Sequence, residues 1–215
     1  MTEASIQRGP RTSFSQRLFQ HLPVPRTGAR PRPFKSVGVI GAGPLGAAIT
    51  ASLLDAGVAV TLKESTSNLL DEGLARVQGY LRDQVTAGLL TPEERDARLD
   101  LLSPTCWFVA MAAVDIVIDC SQCRPAERLA SIAALDGVMK AGSILAANVS
   151  SPDIERLART TRRPRDVVGV RFSHPAEEMR MMEIAKCEHT AEDVVETCVS
   201  LAAAMNRIPV VGSVS

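Results

Sequence analysis

The chain has 215 residues, 46% of them hydrophobic and only 3% aromatic, so it can bury one sizeable core built from Ala, Val, Leu and Ile. Its 24 basic and 24 acidic residues cancel, which leaves no global field to recruit nucleic acid or an anionic membrane. No apolar run approaches the ~20 residues of a membrane span, and five cysteines in a chain of this size argue against a disulfide framework. The expected setting is therefore intracellular and not secreted, cytoplasmic first, with mitochondrial and peroxisomal as the alternatives.

Residues 1–35 carry seven Arg or Lys and one acid, Glu3. They read as a Pro/Arg-rich disordered tail or linker, with Phe14, Leu18, Phe19 and Leu22 forming one short apolar face. Arg and Ser enrichment with few acids also fits an organellar transit peptide. From Ser36 to Ser215 the pattern is that of one domain. Short β-branched runs at Val37–Ile40, Val58–Leu62, Asp115–Asp119, Ser143–Asn148, Val167–Phe172 and Ile208–Val211 read as strands. VDIVID and VVGVRF are apolar nearly throughout, as strands covered on both faces should be. Helices are expected between them. Pro44–Asp55 ends at Gly57, and Asn68–Thr86 follows. A third helix opens at Thr91-Pro92-Glu93-Glu94 with a capping box, and others fall near 125–135, 152–160 and 190–206. This alternation predicts an α/β fold with a mostly parallel sheet and a longer helical excursion near 68–100. Cys120-Ser-Gln-Cys123 lacks a second such pair for a metal. It reads as two small apolar residues at a strand end rather than as a redox pair.

Gly41-Ala-Gly43-Pro-Leu-Gly46 follows the strand SVGVI directly and opens a helix. Gly41 permits a tight turn, Gly43 lets a pyrophosphate approach the backbone, and Gly46 lets helix and strand pack closely. The first N–H groups of the helix, from Leu45 onward, offer partial positive charge to phosphates. Glu64 stands 18 residues after Gly46, at the end of the second strand. An acid there binds the adenosine ribose hydroxyls and repels a 2′-phosphate, so NAD is preferred over NADP. Lys63 is a neighbouring cation that would soften that preference. Together these features specify a Rossmann-type doubly wound sheet.

Several longer stretches resemble the NAD-binding domain of the 3-hydroxyacyl-CoA dehydrogenases, including the form found within multifunctional β-oxidation enzymes. They are VGVIGAGPLGAAI, VDIVIDC, ILAANVSSPDIERLA, RRPRDVVGVRFSHPAEEMRMMEI and IPVV, between Lys35 and Val211. The resemblance implies oxidation of 3-hydroxyacyl-CoA to 3-ketoacyl-CoA with NAD. It also implies a His that takes the substrate hydroxyl proton and a Glu that orients it. Glu183 stands at the Glu position, but Arg171 stands at the His position. Arginine is protonated near neutral pH and cannot act as a base. His174 lies three residues further along the chain, where the family has Asn, about 10 Å away on the opposite face of an extended strand. It reads as a loop histidine. Ser150 keeps the serine that contacts substrate hydroxyl and nicotinamide, and Asn148 is also kept. Arg128 replaces a lysine near the cofactor, and Cys123 replaces a glutamate.

The family's C-terminal helical domain, which closes over the acyl-CoA and makes most of the dimer interface, has no counterpart within these residues. It is expected from another chain or a full-length form, and homodimerisation would depend on it. Three readings follow. The first is a 3-hydroxyacyl-CoA dehydrogenase module, catalytically impaired as it stands. The second is a non-catalytic dinucleotide-binding module, fragment or short isoform, in which Arg171 pairs with Glu183. The third is a different small-acid dehydrogenase that uses Arg171 to grip a carboxylate.

Overall fold

The computed structural model describes residues 28–149, 151–172 and 180–213. Eight strands form one sheet: β1 (Ser36–Ile40), β2 (Ala59–Lys63), β3 (Leu102–Thr105), β4 (Ile116–Asp119), β5 (Ile144–Ala147), β6 (Val167–Phe172), β7 (Met181–Lys186) and β8 (Ile208–Ser213). Their spatial order is β3-β2-β1-β4-β5-β6-β7-β8. All neighbours pair in parallel except β6 and β7. The helices are α1 (Pro44–Asp55), α2 (Ser67–Thr86), α3 (Pro92–Leu99), α4 (Pro125–Val138), α5 (Ser151–Thr160) and α6 (Glu192–Ala204). The expected doubly wound α/β fold is present, with α2 and α3 forming the excursion between β2 and β3.

The central strands are buried along their length because helices cover both faces. One apolar cluster gathers Ile49, Leu53, Leu81, Cys198 and Leu201 from α1, α2 and α6 against the sheet. The other gathers Met111, Ile132, Leu135, Ile154 and Leu157 beneath α4 and α5. Aliphatic side chains supply nearly all of both, as the scarcity of aromatics requires. Chain order reverses between β1 and β4. Loops at their carboxyl ends therefore diverge and open a crevice, where such sheets bind ligands.

Strand and helix ends fall within a few residues of the sequence expectation, but β3 and β7 were not anticipated. β3 is an edge strand of sequence Leu-Ser-Pro-Thr, short and interrupted by proline. Proline is tolerated there because an edge needs only one side of its ladder. β7 reads Met-Met-Glu-Ile-Ala-Lys, with Met182 and Ile184 buried and Met181 and Glu183 exposed. Its alternation is real, but its residues are weak strand formers, and pairing with β6 secures it. The expected boundary at residue 35 lies inside a described segment. The Arg32 N–H donates to the Thr197 hydroxyl, and its guanidinium reaches Asp166, Asp193 and the Gly142 carbonyl. The apolar face at Phe14–Leu22 lies outside the described residues.

Asp136 joins α4 to the turn after α5. Its carboxylate accepts from the guanidinium groups of Arg162 and Arg163 at 2.9 and 2.8 Å. Both arginines also donate to its carbonyl. Because Asp136 is buried, removing it strands the Arg163 charge in a desolvated position. Asp136→Ala should lower unfolding free energy by about 3 kcal/mol in a urea titration. A change under about 0.5 kcal/mol would show the cluster to be an ordinary surface network.

Candidate functional site

β1 ends at Ile40, and Gly41 turns the chain with φ of +92°. Its N–H donates to the Lys63 carbonyl at 2.9 Å, which ties the turn to the end of β2. A Cβ on Gly41 would sit 3.0 Å from the Cys120 carbonyl, and one on Gly46 would sit 1.8 Å from the Gly41 oxygen. These two glycines let α1 start directly against the sheet. Gly43 differs, since a Cβ there would meet nothing within 4 Å. The space above it is open, as a phosphate approaching the backbone requires. Gly43 caps α1 and Pro44 takes its first position. The first N–H groups of the helix have no intrahelical partner and point into this space.

The crevice is a cleft of about 450 Å³, lined by Gly41, Gly43, Leu45, Gly46, Glu64 and, from the facing loop, Ser121 and Cys123. The glycine loop and Glu64 thus come together as expected. Glu64 receives the Ala42 N–H at 2.8 Å on one oxygen and the Ser65 N–H at 2.6 Å on the other. Burial alone would raise its pKa, but these N–H donors and the Lys63 charge outweigh burial and hold it below the ordinary glutamate value. An ionised carboxylate can still accept ribose hydroxyls through its remaining lone pairs. The glycine cradle, the helix start and this acid all fit a dinucleotide.

Arg128 and Asn148 lie beside the cleft. The Arg128 guanidinium donates to the Ser121 carbonyl and, at 3.4 Å, to the Asn148 carbonyl. Its Nε sits 3.4 Å from the buried Asp119 carboxylate. Arg128 therefore staples the loop after β4 to the loop after β5. It also lines a smaller pocket of about 100 Å³ with Cys123, Val149 and Arg156. Ser150 and His174 lie outside the described residues. Cys120 is buried at the end of β4, and burial pushes its thiol pKa up, which fits the apolar reading of the Cys-x-x-Cys pair. Cys123 instead faces the cleft, with its sulfur 3.5 Å from the Ser121 hydroxyl.

Arg171 on β6 and Glu183 on β7 are direct cross-strand partners. Their guanidinium and carboxylate lie 3.7 Å apart, and both side chains are more than half exposed. Neither lines the cleft. Residues that sequence reasoning missed include Phe108, Leu69 and Ser121 in the cleft wall, together with Asp119 beneath it. Asp119 carried a readable signal, as the one acid closing an otherwise apolar strand. Phe108 carried none, since it opens a short 3₁₀ helix, Phe108–Ala113, that no periodicity marks.

Two outcomes follow from this geometry. The fold depresses the Glu64 pKa, so the stability of its ionised form is present above the unfolded value and lost only as pH falls through the folded one. Dinucleotide affinity should stay flat from about pH 8 to about pH 5 and fall only below the ordinary carboxylate range. A decline centred near pH 6 in calorimetric titrations would refute this. Gly46→Ala must push α1 off the sheet. It should cost roughly 3 kcal/mol of stability and weaken dinucleotide binding more than about tenfold.

The family model for the 3-hydroxyacyl-CoA dehydrogenase NAD-binding domain matches residues 36–214. The fatty acid oxidation complex subunit alpha of Psychrobacter cryohalolentis is 32% identical over 173 residues, covering 80% of this chain and 24% of that protein. A peroxisomal fatty acid beta-oxidation multifunctional protein of Arabidopsis thaliana is 30% identical over 199 residues, covering 92% and 28%. Among solved structures, the 3-hydroxybutyryl-CoA dehydrogenase of Escherichia coli superposes with a TM-score of 0.81 at 30% identity, covering 86% of this chain and 39% of that one. The chain spans about a quarter of the length of these curated relatives. It belongs to the NAD-binding domain family of the 3-hydroxyacyl-CoA dehydrogenases.

Proposed function

We propose that this chain is the NAD-holding module of a 3-hydroxyacyl-CoA dehydrogenase and is catalytically impaired as it stands. Arg171 carries the reading, lying 3.7 Å from Glu183 where the family's base would stand. A guanidinium stays protonated at physiological pH and does not take a proton from a hydroxyl. Its pairing with Glu183 also counts against Arg171 serving as a clamp for a free carboxylate. NAD, when bound, supplies the hydride acceptor. Gly41, Gly43, Leu45, Gly46 and Glu64 would hold its adenosine and pyrophosphate, while Arg128 and Asn148 fix the adjoining loops and Ser150 would meet the substrate hydroxyl. Losing a positioned base costs about 10²–10⁴ in rate.

The substrate, a 3-hydroxyacyl-CoA, needs more surface than this domain offers. Met181 and Val210 stay exposed on the same face of β7 and β8 as Glu183. An apolar patch beside the catalytic positions suits cover by a helical domain, from a longer form or a second chain. Titration calorimetry should show NAD binding. The unmodified chain should not oxidise NADH with acetoacetyl-CoA, even at high protein concentration. Arg171→His, assayed with a family C-terminal domain supplied, should give measurable turnover. Turnover by the unmodified chain would overturn the impairment.

A further inference from the structure

Lys63 ends β2 and points into the cleft wall, yet it is only 8% exposed. A buried ammonium needs a partner. Its neighbour Glu64 instead receives the Ala42 and Ser65 N–H groups. The ammonium rests over the Phe108 ring, 4.1 Å from the centroid, at the distance where the ring quadrupole holds a cation. The local backbone fixes this stacking. Lys63 pairs with Thr105 across the β2–β3 ladder. The Glu64 N–H donates to the Thr105 carbonyl, and the Thr105 hydroxyl accepts the Trp107 N–H. Phe108 is thereby set opposite the end of β2, in the same wall as Glu64 and Ser65.

We propose that Phe108 is a specificity-determining residue for the dinucleotide. Its ring holds the Lys63 ammonium back in the wall, where it still acts on Glu64 through space but is kept from pairing directly with a 2′-phosphate, so that Glu64 is the charge the phosphate would contact. A lysine beside the ribose-binding acid would otherwise neutralise that acid and pair with the phosphate, which is the softening the sequence suggests. With the cation held on the ring, no direct ion pair offsets the repulsion between Glu64 and a 2′-phosphate, and the NAD preference is kept. The proposal rests on the reading of this cleft as a dinucleotide site.

The test is titration of the full chain with NAD and with NADP. Phe108→Leu keeps the wall apolar but removes the quadrupole, and the freed lysine should improve the NADP affinity relative to NAD by about tenfold. Phe108→Tyr, which keeps the ring, should retain the parental ratio. In the double variant Phe108→Leu with Lys63→Met, the gain should vanish. Lys63→Met alone should leave the ratio within about twofold, because the sequestered ammonium serves neither ligand. A folded Phe108→Leu variant with an unchanged ratio would overturn the proposal, as would a loss of NADP affinity specific to Lys63→Met. A parental chain that binds neither dinucleotide would overturn the NAD reading itself, and the role of Phe108 with it. Thermal melts separate all of these outcomes from misfolding.

Discussion

Helix α1 meets the sheet so closely that a single methyl group on Gly46 would lie 1.8 Å from the Gly41 carbonyl oxygen. That approach sets where the helix begins and where its unpaired N–H groups point. It also brings Ala42 under Glu64, whose carboxylate accepts the Ala42 N–H. Gly41 makes the reversal with a positive φ that other residues rarely adopt. Its N–H then anchors to β2 through Lys63. The glycine loop and the Ala42–Glu64 hydrogen bond therefore share one backbone contact.

The parts of the fold that were legible in the sequence are those with a strong local signal. The glycine loop, the capping box at Thr91 and the apolar runs of β1, β4, β5 and β6 each combine propensity with pattern. The capping box forms as expected, with Thr91 and Glu94 bonding each other's backbone. β3 and β7 were not legible because tertiary pairing makes them strands. A proline in one and two methionines in the other blunt any local preference. The site divides in the same way. Glycines and an acid at fixed spacing announce a dinucleotide, since the spacing is set by helix and strand geometry. The Lys63–Phe108 contact joins residues 45 positions apart through a short edge strand, and nothing periodic marks it.

Arginine takes much of the organising role that aromatic residues often fill elsewhere. Arg32 ties the segment before β1 to Asp166 and Asp193. Arg162 and Arg163 converge on Asp136, and Arg128 joins the loops after β4 and β5. In each case a planar fork spans two to four backbone or carboxylate acceptor atoms, in a fixed geometry that a lysine ammonium does not offer. Arg128 is therefore more than a charge-conserving replacement for lysine. Its reach to two carbonyls fixes the floor from which Ser121 and Cys123 face the cleft.

The two halves of the site differ in how they can fail. On the proposed reading, dinucleotide binding depends on backbone N–H groups, glycines and one acid, placed by the close packing of α1 on β1 and by the end of β2. Disturbing them disturbs the fold. Proton abstraction would depend on one side chain on β6, exposed to solvent and facing β7. A cross-strand pair tolerates any residue that satisfies its neighbour there, and Arg171 does so by meeting Glu183. Exchange of a base for a guanidinium at that position costs the sheet little, while it removes the group that would accept a proton. Cofactor binding and catalysis are thus separable in this architecture. On the reading proposed above, a chain can keep every structural demand of the first while its β6–β7 pair does not meet the chemical demand of the second.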